Sequence, residues 1–362
     1  MSKVTYLLGA GASYGSRGVL SHFPVPFMST DKTEPPKGIL RGFPILNEFP
    51  NAVLQMQREI GDMGESTEDE KKIFSEILDN ISNVAKEYPT IDTYSKMLYT
   101  TKQFEKYEKF KEQIALFFLI WQRLHKHDIR YDAFIASLID AETAEFPPMT
   151  ILSWNYDMQF EMSYSKYITE EKALWKIWDK LNVCCKSNGS LPKYDVQHPF
   201  ALLKLNGSAM FHASEQDNSS LRFTLQDVLW NSTEGVQFVK EICAIYENSQ
   251  HKNMFSIPKY VNELSYAWDD FGRDYIKQNI VERGKDCEAL VIIGYSFPYV
   301  NREIDRHIFL SMPNLRTIYI QDVDASNIAE RVMAIYEYLQ INTPRIIPKT
   351  DVGQFFIPNE LG

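Results

Sequence analysis

Four short apolar runs limit what this chain can fold into. They cover residues 4–8, 149–154, 200–205 and 289–293, and the last run is continuous and rich in β-branched residues. Runs of this length with little polar alternation are typical of strands that are buried on both faces. Because sheets of this kind are mostly parallel and flanked by helices, the runs predict an α/β fold.

Each of the four runs is followed at once by small or polar residues. These segments cover residues 9–13, 155–157, 206–208 and 294–296. The carboxyl ends of parallel strands share one edge of the sheet, and open α/β sheets bind their ligands outside that edge. The sequence therefore predicts that four segments from distant parts of the chain converge on one crevice.

The first segment has the pattern Gly9-Ala10-Gly11-Ala12-Ser13. Two glycines separated by one residue permit a sharp turn and let a phosphate approach the main chain. The alternative is a tight corner between a strand and a helix that binds no ligand, because short glycine motifs often occur without one. The third glycine, Gly15, comes one place later than in the common dinucleotide fingerprint.

The second segment also has two interpretations. Asn155 offers a donor and an acceptor, and Asp157 offers a carboxylate, which suits a ligand at a strand end. Asn and Asp are equally typical of residues that cap the start of a helix, here one that includes Met158, Phe160 and Met162. Taken alone, this segment favours the helix cap.

The stretches between the runs predict a single domain over residues 1–362 with a large helical insert. Helical spacing of apolar residues places the insert at 61–146, with a turn between helices at residues 91–94. Residues 209–280 form a mixed segment, and its last part, 261–280, has the pattern of one helix. We therefore predict a Rossmann-like, doubly wound, mostly parallel sheet that carries this insert.

The composition excludes several classes of protein. A formal charge of −10 over 362 residues argues against general nucleic-acid binding, which needs clustered Lys and Arg. The four cysteines include no C-x-x-C pair, so no zinc or other metal site is expected. No signal peptide and no long apolar run is apparent, which indicates a cytoplasmic protein without a membrane span.

Taken in order, the four strand ends resemble the motifs of the sirtuin-like superfamily in its divergent bacterial branch. The matching stretches are Leu-Gly-Ala-Gly-Ala-Ser from residue 8, Trp-Asn-Tyr-Asp from 154, Lys-Leu-Asn-Gly-Ser from 204 and Ile-Gly-Tyr-Ser-Phe from 293. The resemblance implies a pocket for NAD or ADP-ribose over the strand ends. It also implies an NAD-consuming effector of bacterial antiviral defence, acting alone, as a homo-oligomer or with a partner ATPase or sensor.

The resemblance implies a role for each matched residue. The catalytic positions would be Asn155, Asp157 and Asn206, the first two beside the nicotinamide ribose. Gly207 and Ser208 would flank the catalytic position, Gly294 and Ser296 would contact the adenosine side, and Asp322 would meet the adenine ribose. The diphosphate would be held by Gly9, Ala10, Gly11, Ala12 and Ser13.

Two departures from the family pattern bear on activity. The zinc module of the protein deacetylases is missing, and Asn206 stands where the family has a histidine. A histidine can accept a ribose proton near neutral pH, whereas an amide cannot. Three classes therefore stay open: an NAD glycohydrolase, an NAD-binding or ADP-ribose-binding module without catalysis, and, least favoured, an NAD-dependent protein deacylase.

Overall fold

The computed structural model of the chain describes most of the sheet and its helices. The described residues are 3–14, 48–61, 68–88, 90–125, 127–168, 174–185, 194–213, 260–269 and 273–361, together with the single positions 44, 243, 246 and 247. Most of the segment 214–259 lies outside them, including most of residues 236–246, where the sequence predicts a helix.

The described strands form two sheets. The larger sheet has seven strands in the order β3-β4-β2-β1-β7-β8-β9, all parallel, and the smaller is an antiparallel pair of β5 and β6. The strands are β1 (Val4–Leu8), β2 (Met149–Ser153), β3 (Val183–Cys184), β4 (Ala201–Lys204), β5 (Gly207–Ala213), β6 (Tyr260–Leu264), β7 (Ala289–Ile293), β8 (Thr317–Gln321) and β9 (Arg345–Lys349).

Helices cover both faces of the large sheet. Those of the described residues are α1 (Ala10–Ser13), α2 (Phe49–Gly61), α3 (Glu68–Glu87), α4 (Ile91–Thr100), α5 (Phe104–Leu124), α6 (Ile129–Leu138), α7 (Gln159–Tyr164), α8 (Leu174–Lys180), α9 (Arg273–Gly284), α10 (Arg302–Leu310) and α11 (Ala325–Leu339). None of them is both long and apolar enough to cross a membrane.

Side chains of the central strands alternate between two cores. Tyr6 of β1 packs with the helices that precede β2, whereas its neighbour Leu7 packs with α9, α10 and α11 on the other face. Strands buried on both faces follow from the continuous apolar runs, since side chains point alternately to the two faces. The predicted Rossmann-like, doubly wound fold is confirmed, and its central sheet is wholly parallel.

The chain reverses its direction across the sheet between β1 and β7. From β1 it builds β2, β3 and β4 on one side, and it then returns to place β7, β8 and β9 on the other. Such a topological switch point opens a crevice at the carboxyl ends of the two strands. The fold therefore puts a binding crevice beside the glycine segment that follows β1.

Two local predictions are wrong. Residues 91–94 do not form a turn but begin α4, because the Thr90 side chain caps the helix by accepting a hydrogen bond from the Thr93 amide at 3.0 Å. The helix predicted over 261–280 is wrong in its first part, because residues 260–264 form β6, and the helix described there is Arg273–Gly284. Pairing with β5, which is distant in the sequence, outweighs the local helical pattern there.

Candidate functional site

A cavity of about 120 Å³ lies at the carboxyl ends of the central strands, at the switch point between β1 and β7. Its wall is formed by residues of α1, α2, α4 and α5 together with the segments that follow β2, β4 and β7. The lining residues are Ala10, Ser13, Pro44, Phe49, Asp92, Phe118, Trp154, Asn155, Tyr156, Asp157, Asn206, Gly294, Tyr295, Ser296, Pro298 and Asn301.

All four predicted strand-end segments contribute to this cavity. The predicted site residues that line it are Ala10, Ser13, Asn155, Asp157, Asn206, Gly294 and Ser296. Those that do not are Gly9, Gly11, Ala12, Gly207, Ser208 and Asp322. The sequence thus identified the segments that meet, and the structure separates the side chains on the cavity from those that support it.

The two glycines of the first segment pack against backbone. The Gly11 amide donates a hydrogen bond to the Gly294 carbonyl at 2.9 Å, and the Gly9 amide donates to that of Ile293 at 3.0 Å. A Cβ atom on Gly11 would lie 2.7 Å from the Gly294 Cα atom. These glycines are therefore required for contact between the turns after β1 and β7, and their amides are already used within the protein.

Ser13 connects the glycine segment to the loop after β2. Its hydroxyl accepts a hydrogen bond from the Asn155 side chain at 3.0 Å and lies 3.1 Å from the Tyr131 hydroxyl. Asn155 is therefore not a helix cap. The Asp157 carboxylate, in contrast, accepts a hydrogen bond from the Gln159 amide at 3.1 Å, so it satisfies the start of α7 while it lines the cavity.

Asp157 is a buried carboxylate with a cation nearby. Burial raises its pKa, while the Lys204 ammonium, the Gln159 amide and the Ser13 hydroxyl oppose that rise. The Lys204 Nζ atom donates to the Asp157 main-chain carbonyl at 2.6 Å and lies 2.9 Å from Glu161. Lys204 and Glu161 therefore form a charged pair next to Asp157 although both residues are almost completely buried.

Asn206 presents a buried acceptor that has no partner. Its Nδ2 atom donates to the Trp154 carbonyl at 3.3 Å, whereas its Oδ1 atom has no hydrogen-bond partner among the described residues. Buried polar groups nearly always have a partner, so an orphaned one on a cavity wall is a feature that a ligand could explain.

The residues after Asn206 serve the local backbone. Gly207 has a positive φ of 66°, and a Cβ atom there would collide with the Glu263 carbonyl oxygen. The Ser208 side chain is fully buried, with its hydroxyl 3.5 Å from the Tyr156 carbonyl. Gly207 and Ser208 hold the start of β5 against β6 and the loop after β2, and they do not line the cavity.

The remaining predicted residues surround the turns after β7 and β8. Gly294 has a positive φ of 60°, and its carbonyl receives the Gly11 amide. Ser296 is exposed at the cavity edge, and its carbonyl accepts a hydrogen bond from Arg331 at 2.7 Å. The Asp322 carboxylate accepts the Asp324 amide at 2.9 Å and lies outside the cavity lining, where it caps the turn after β8.

Sequence reasoning missed Asp92 and the aromatic wall of the cavity. Asp92 comes from the helical insert and accepts a hydrogen bond from the Tyr156 hydroxyl at 3.0 Å. Trp154 stacks on Tyr295, with ring centroids 5.6 Å apart. The apolar spacing of the insert does not indicate that Asp92 faces a strand end some 60 residues away in the sequence. The available signal was Thr90, a residue type that commonly caps helices, which could have located the start of α4.

Comparison with known proteins leaves the family open. No family model matches this chain, and no characterised protein was found to match it. Among the described residues, no group of three or more His, Cys, Asp or Glu side chains is arranged to hold a metal ion.

Proposed function

We propose that the chain binds NAD in the strand-end cavity and cleaves its nicotinamide–ribose bond. The observation that carries this proposal is the meeting of Ser13, Asn155, Asp157, Asn206 and Gly294 at the switch point of a Rossmann-like sheet. Crevices at this position are where open α/β sheets bind nucleotides. The resemblance of these same segments to sirtuin-like motifs gives the ligand its chemical identity.

The size and lining of the cavity favour the nicotinamide end of the dinucleotide. Small-molecule sites commonly measure roughly 300–1,000 Å³, so a cavity of about 120 Å³ would take one ring with its ribose rather than a whole dinucleotide. The stacked Trp154 and Tyr295 supply an aromatic wall, and Asn206 Oδ1 supplies an unused acceptor. The adenosine part would then extend beyond the cavity.

The chemistry that this site would catalyse needs charge stabilisation. Departure of nicotinamide leaves positive charge on the ribose, and a fixed carboxylate near that charge lowers the barrier. Asp157, in its ionised form, would supply the negative charge. Asn155, which is held by Ser13, would orient the ribose.

A binding module without catalysis is the second candidate. Asn206, in the place of the family's histidine, favours it, because an amide cannot accept a proton. The use of the Gly9 and Gly11 amides within the protein also limits how the main chain could hold a diphosphate. In that case, the protein would act as a sensor or scaffold for NAD or ADP-ribose.

Two measurements on the purified protein test the proposal. We expect NAD to bind by calorimetry and nicotinamide to be released at high enzyme concentration. Asn155→Ala should remove release, since it loses the amide, held by Ser13, that would orient the ribose, whereas Asn327→Ala on the exposed side of α11 should not change it. Binding of NAD without release of nicotinamide would favour the binding module over the hydrolase. Absence of NAD binding would refute both candidate functions.

The biological setting belongs to the same proposal. The resemblance implies a cytoplasmic effector of antiviral defence that depletes cellular NAD, with a partner ATPase or sensor, or self-association, as its trigger. We expect NAD levels to fall in infected bacteria that express the chain. Unchanged NAD levels in infected cells that contain an enzymatically active chain would contradict this role.

A further inference from the structure

Asp92 is a buried carboxylate of the cavity that has no role in the proposed function. It is the second residue of α4, whose start is fixed by the Thr90 cap, and only 7% of its surface is exposed. The helical insert thereby delivers one acidic side chain into the cavity that Asn155, Asp157 and Asn206 line from the sheet.

The two oxygen atoms of Asp92 have different surroundings. Oδ1 accepts the Tyr156 hydroxyl at 3.0 Å, whereas no hydrogen bond from the described residues reaches Oδ2. A carboxylate that is anchored through one oxygen and has its other oxygen unused is well placed to accept a proton from a bound molecule.

We propose that Asp92 is the general base of nicotinamide–ribose cleavage, an inference that rests on the proposed function. The C–N bond breaks and its electron pair goes to the nicotinamide nitrogen, which becomes neutral. A water oxygen forms the new bond to the ribose carbon, and Asp92 takes the proton from that water and returns it to solvent. The products are ADP-ribose, nicotinamide and one proton.

Geometry favours Asp92 over the other polar residues of the cavity. One Asp157 oxygen already accepts the Gln159 amide at 3.1 Å, and the Lys204 ammonium favours the ionised form against the effect of burial, so Asp157 is better suited to stabilise charge than to accept a proton. Asn206 cannot accept a proton. Asp92 therefore supplies the function that the family's histidine would have at position 206, from a different element of the fold.

The ionisation of Asp92 should be visible in the pH dependence of nicotinamide release. Burial raises the pKa of Asp92 to about 6, and the hydrogen bond from Tyr156 opposes that rise. Among the described residues, the titratable groups that interact with it are the hydroxyls of Tyr156, Tyr266 and Tyr295, whose pKa values are all raised well above the ordinary value by burial. These tyrosines stay neutral, so nicotinamide release should rise with pH around 6 as Asp92 ionises. Burial also raises the pKa of Asp157 in the same cavity, and the Tyr156→Phe variant distinguishes the two carboxylates.

The first test compares two buried carboxylates. Asp92→Asn should lower the rate of nicotinamide release about 10²–10⁴-fold, with NAD affinity changed only a few-fold. Asp305→Asn is the matched control, because Asp305 also accepts a tyrosine hydroxyl, from Tyr295, but lies outside the cavity lining. Release by Asp92→Asn at the wild-type rate would refute the role of Asp92 and leave the proposed function intact.

The second test uses the pH profile. Tyr156→Phe removes the hydrogen bond that stabilises the ionised Asp92, so the acid limb of the profile should move to higher pH. An unmoved limb would contradict the assignment, because Asp157 does not share this hydrogen bond. If the wild-type protein binds NAD but releases no nicotinamide, both the proposed cleavage and the role of Asp92 are refuted.

Discussion

At the scale of single residues, the cavity combines groups that are costly to bury. Asp92 has one hydrogen bond, and Asn206 Oδ1 has none among the described residues. Buried polar groups without full hydrogen bonding destabilise a fold. Both groups line the same cavity, and their incomplete hydrogen bonding has a measurable consequence for stability.

We expect Asp92→Asn to stabilise the protein at neutral pH. Burial raises the pKa of Asp92 to about 6, compared with about 3.9 in an unfolded chain. The folded state therefore holds its proton more tightly, and wild-type stability falls as pH rises from about 4 to 6. The gain from the substitution at pH 7 should reach at most about 3 kcal/mol.

Urea unfolding at pH 7 and at pH 4 measures this gain. The advantage of Asp92→Asn should largely disappear at pH 4, where the wild-type side chain is protonated in the folded state. A variant that is less stable than wild type at pH 7 would show that the ionised carboxylate has a stabilising partner that the described contacts do not include.

At the scale of elements, the turns after β1 and β7 form one unit. Gly9, Gly11 and Gly294 bring the two backbones together, and the positive φ of Gly294 permits the bend. Any side chain at these positions must push the turns apart. The glycine segment should therefore be sensitive to substitution whether or not a ligand is present.

We expect Gly11→Ala to destabilise the fold by roughly 1–3 kcal/mol, the usual range for overpacking. Its Cβ atom would lie 2.7 Å from Gly294 Cα, and neither backbone can move without loss of the hydrogen bond between them. Ala10→Ser, at the exposed neighbouring position, should change stability by less than about 0.5 kcal/mol. Equal stabilities of the two variants in urea would contradict this role of the glycine.

The strands of the sheet were easier to predict than the helices around them. A continuous run such as 289–293 identifies a buried strand by itself, and parallel pairing then brings the ends of such strands together. The start of α4 and the strand β6 were missed because a cap residue and a distant strand partner decide them. Asp92 was missed for the same reason, since only packing of the insert places it at the strand ends.

At the scale of the whole molecule, the cavity is shared by distant parts of the chain. Its wall comes from α1, the insert, the loop after β2 and the turn after β7. A ligand that contacts all of them is bound only by the folded state, so it should stabilise the entire domain by mass action.

We expect nicotinamide mononucleotide to raise the melting temperature, because the small cavity fits the nicotinamide–ribose end. At a concentration of 100 times Kd, the stabilisation should be about 2.7 kcal/mol. AMP should have little effect, and Asn155→Ala should abolish the shift. A shift with AMP alone would place the adenosine end in the cavity and reverse the proposed orientation.

The central position of β1 has a consequence for biosynthesis. β1 ends at Leu8, yet one of its two partners, β7, begins only at Ala289. At translation rates of roughly 5–20 residues per second, β7 is synthesised on the order of tens of seconds after β1, and one edge of β1 stays unpaired until then. During that time, an apolar strand edge is exposed to other chains. The emerging polypeptide should therefore depend on chaperones until the second half of the sheet has been synthesised.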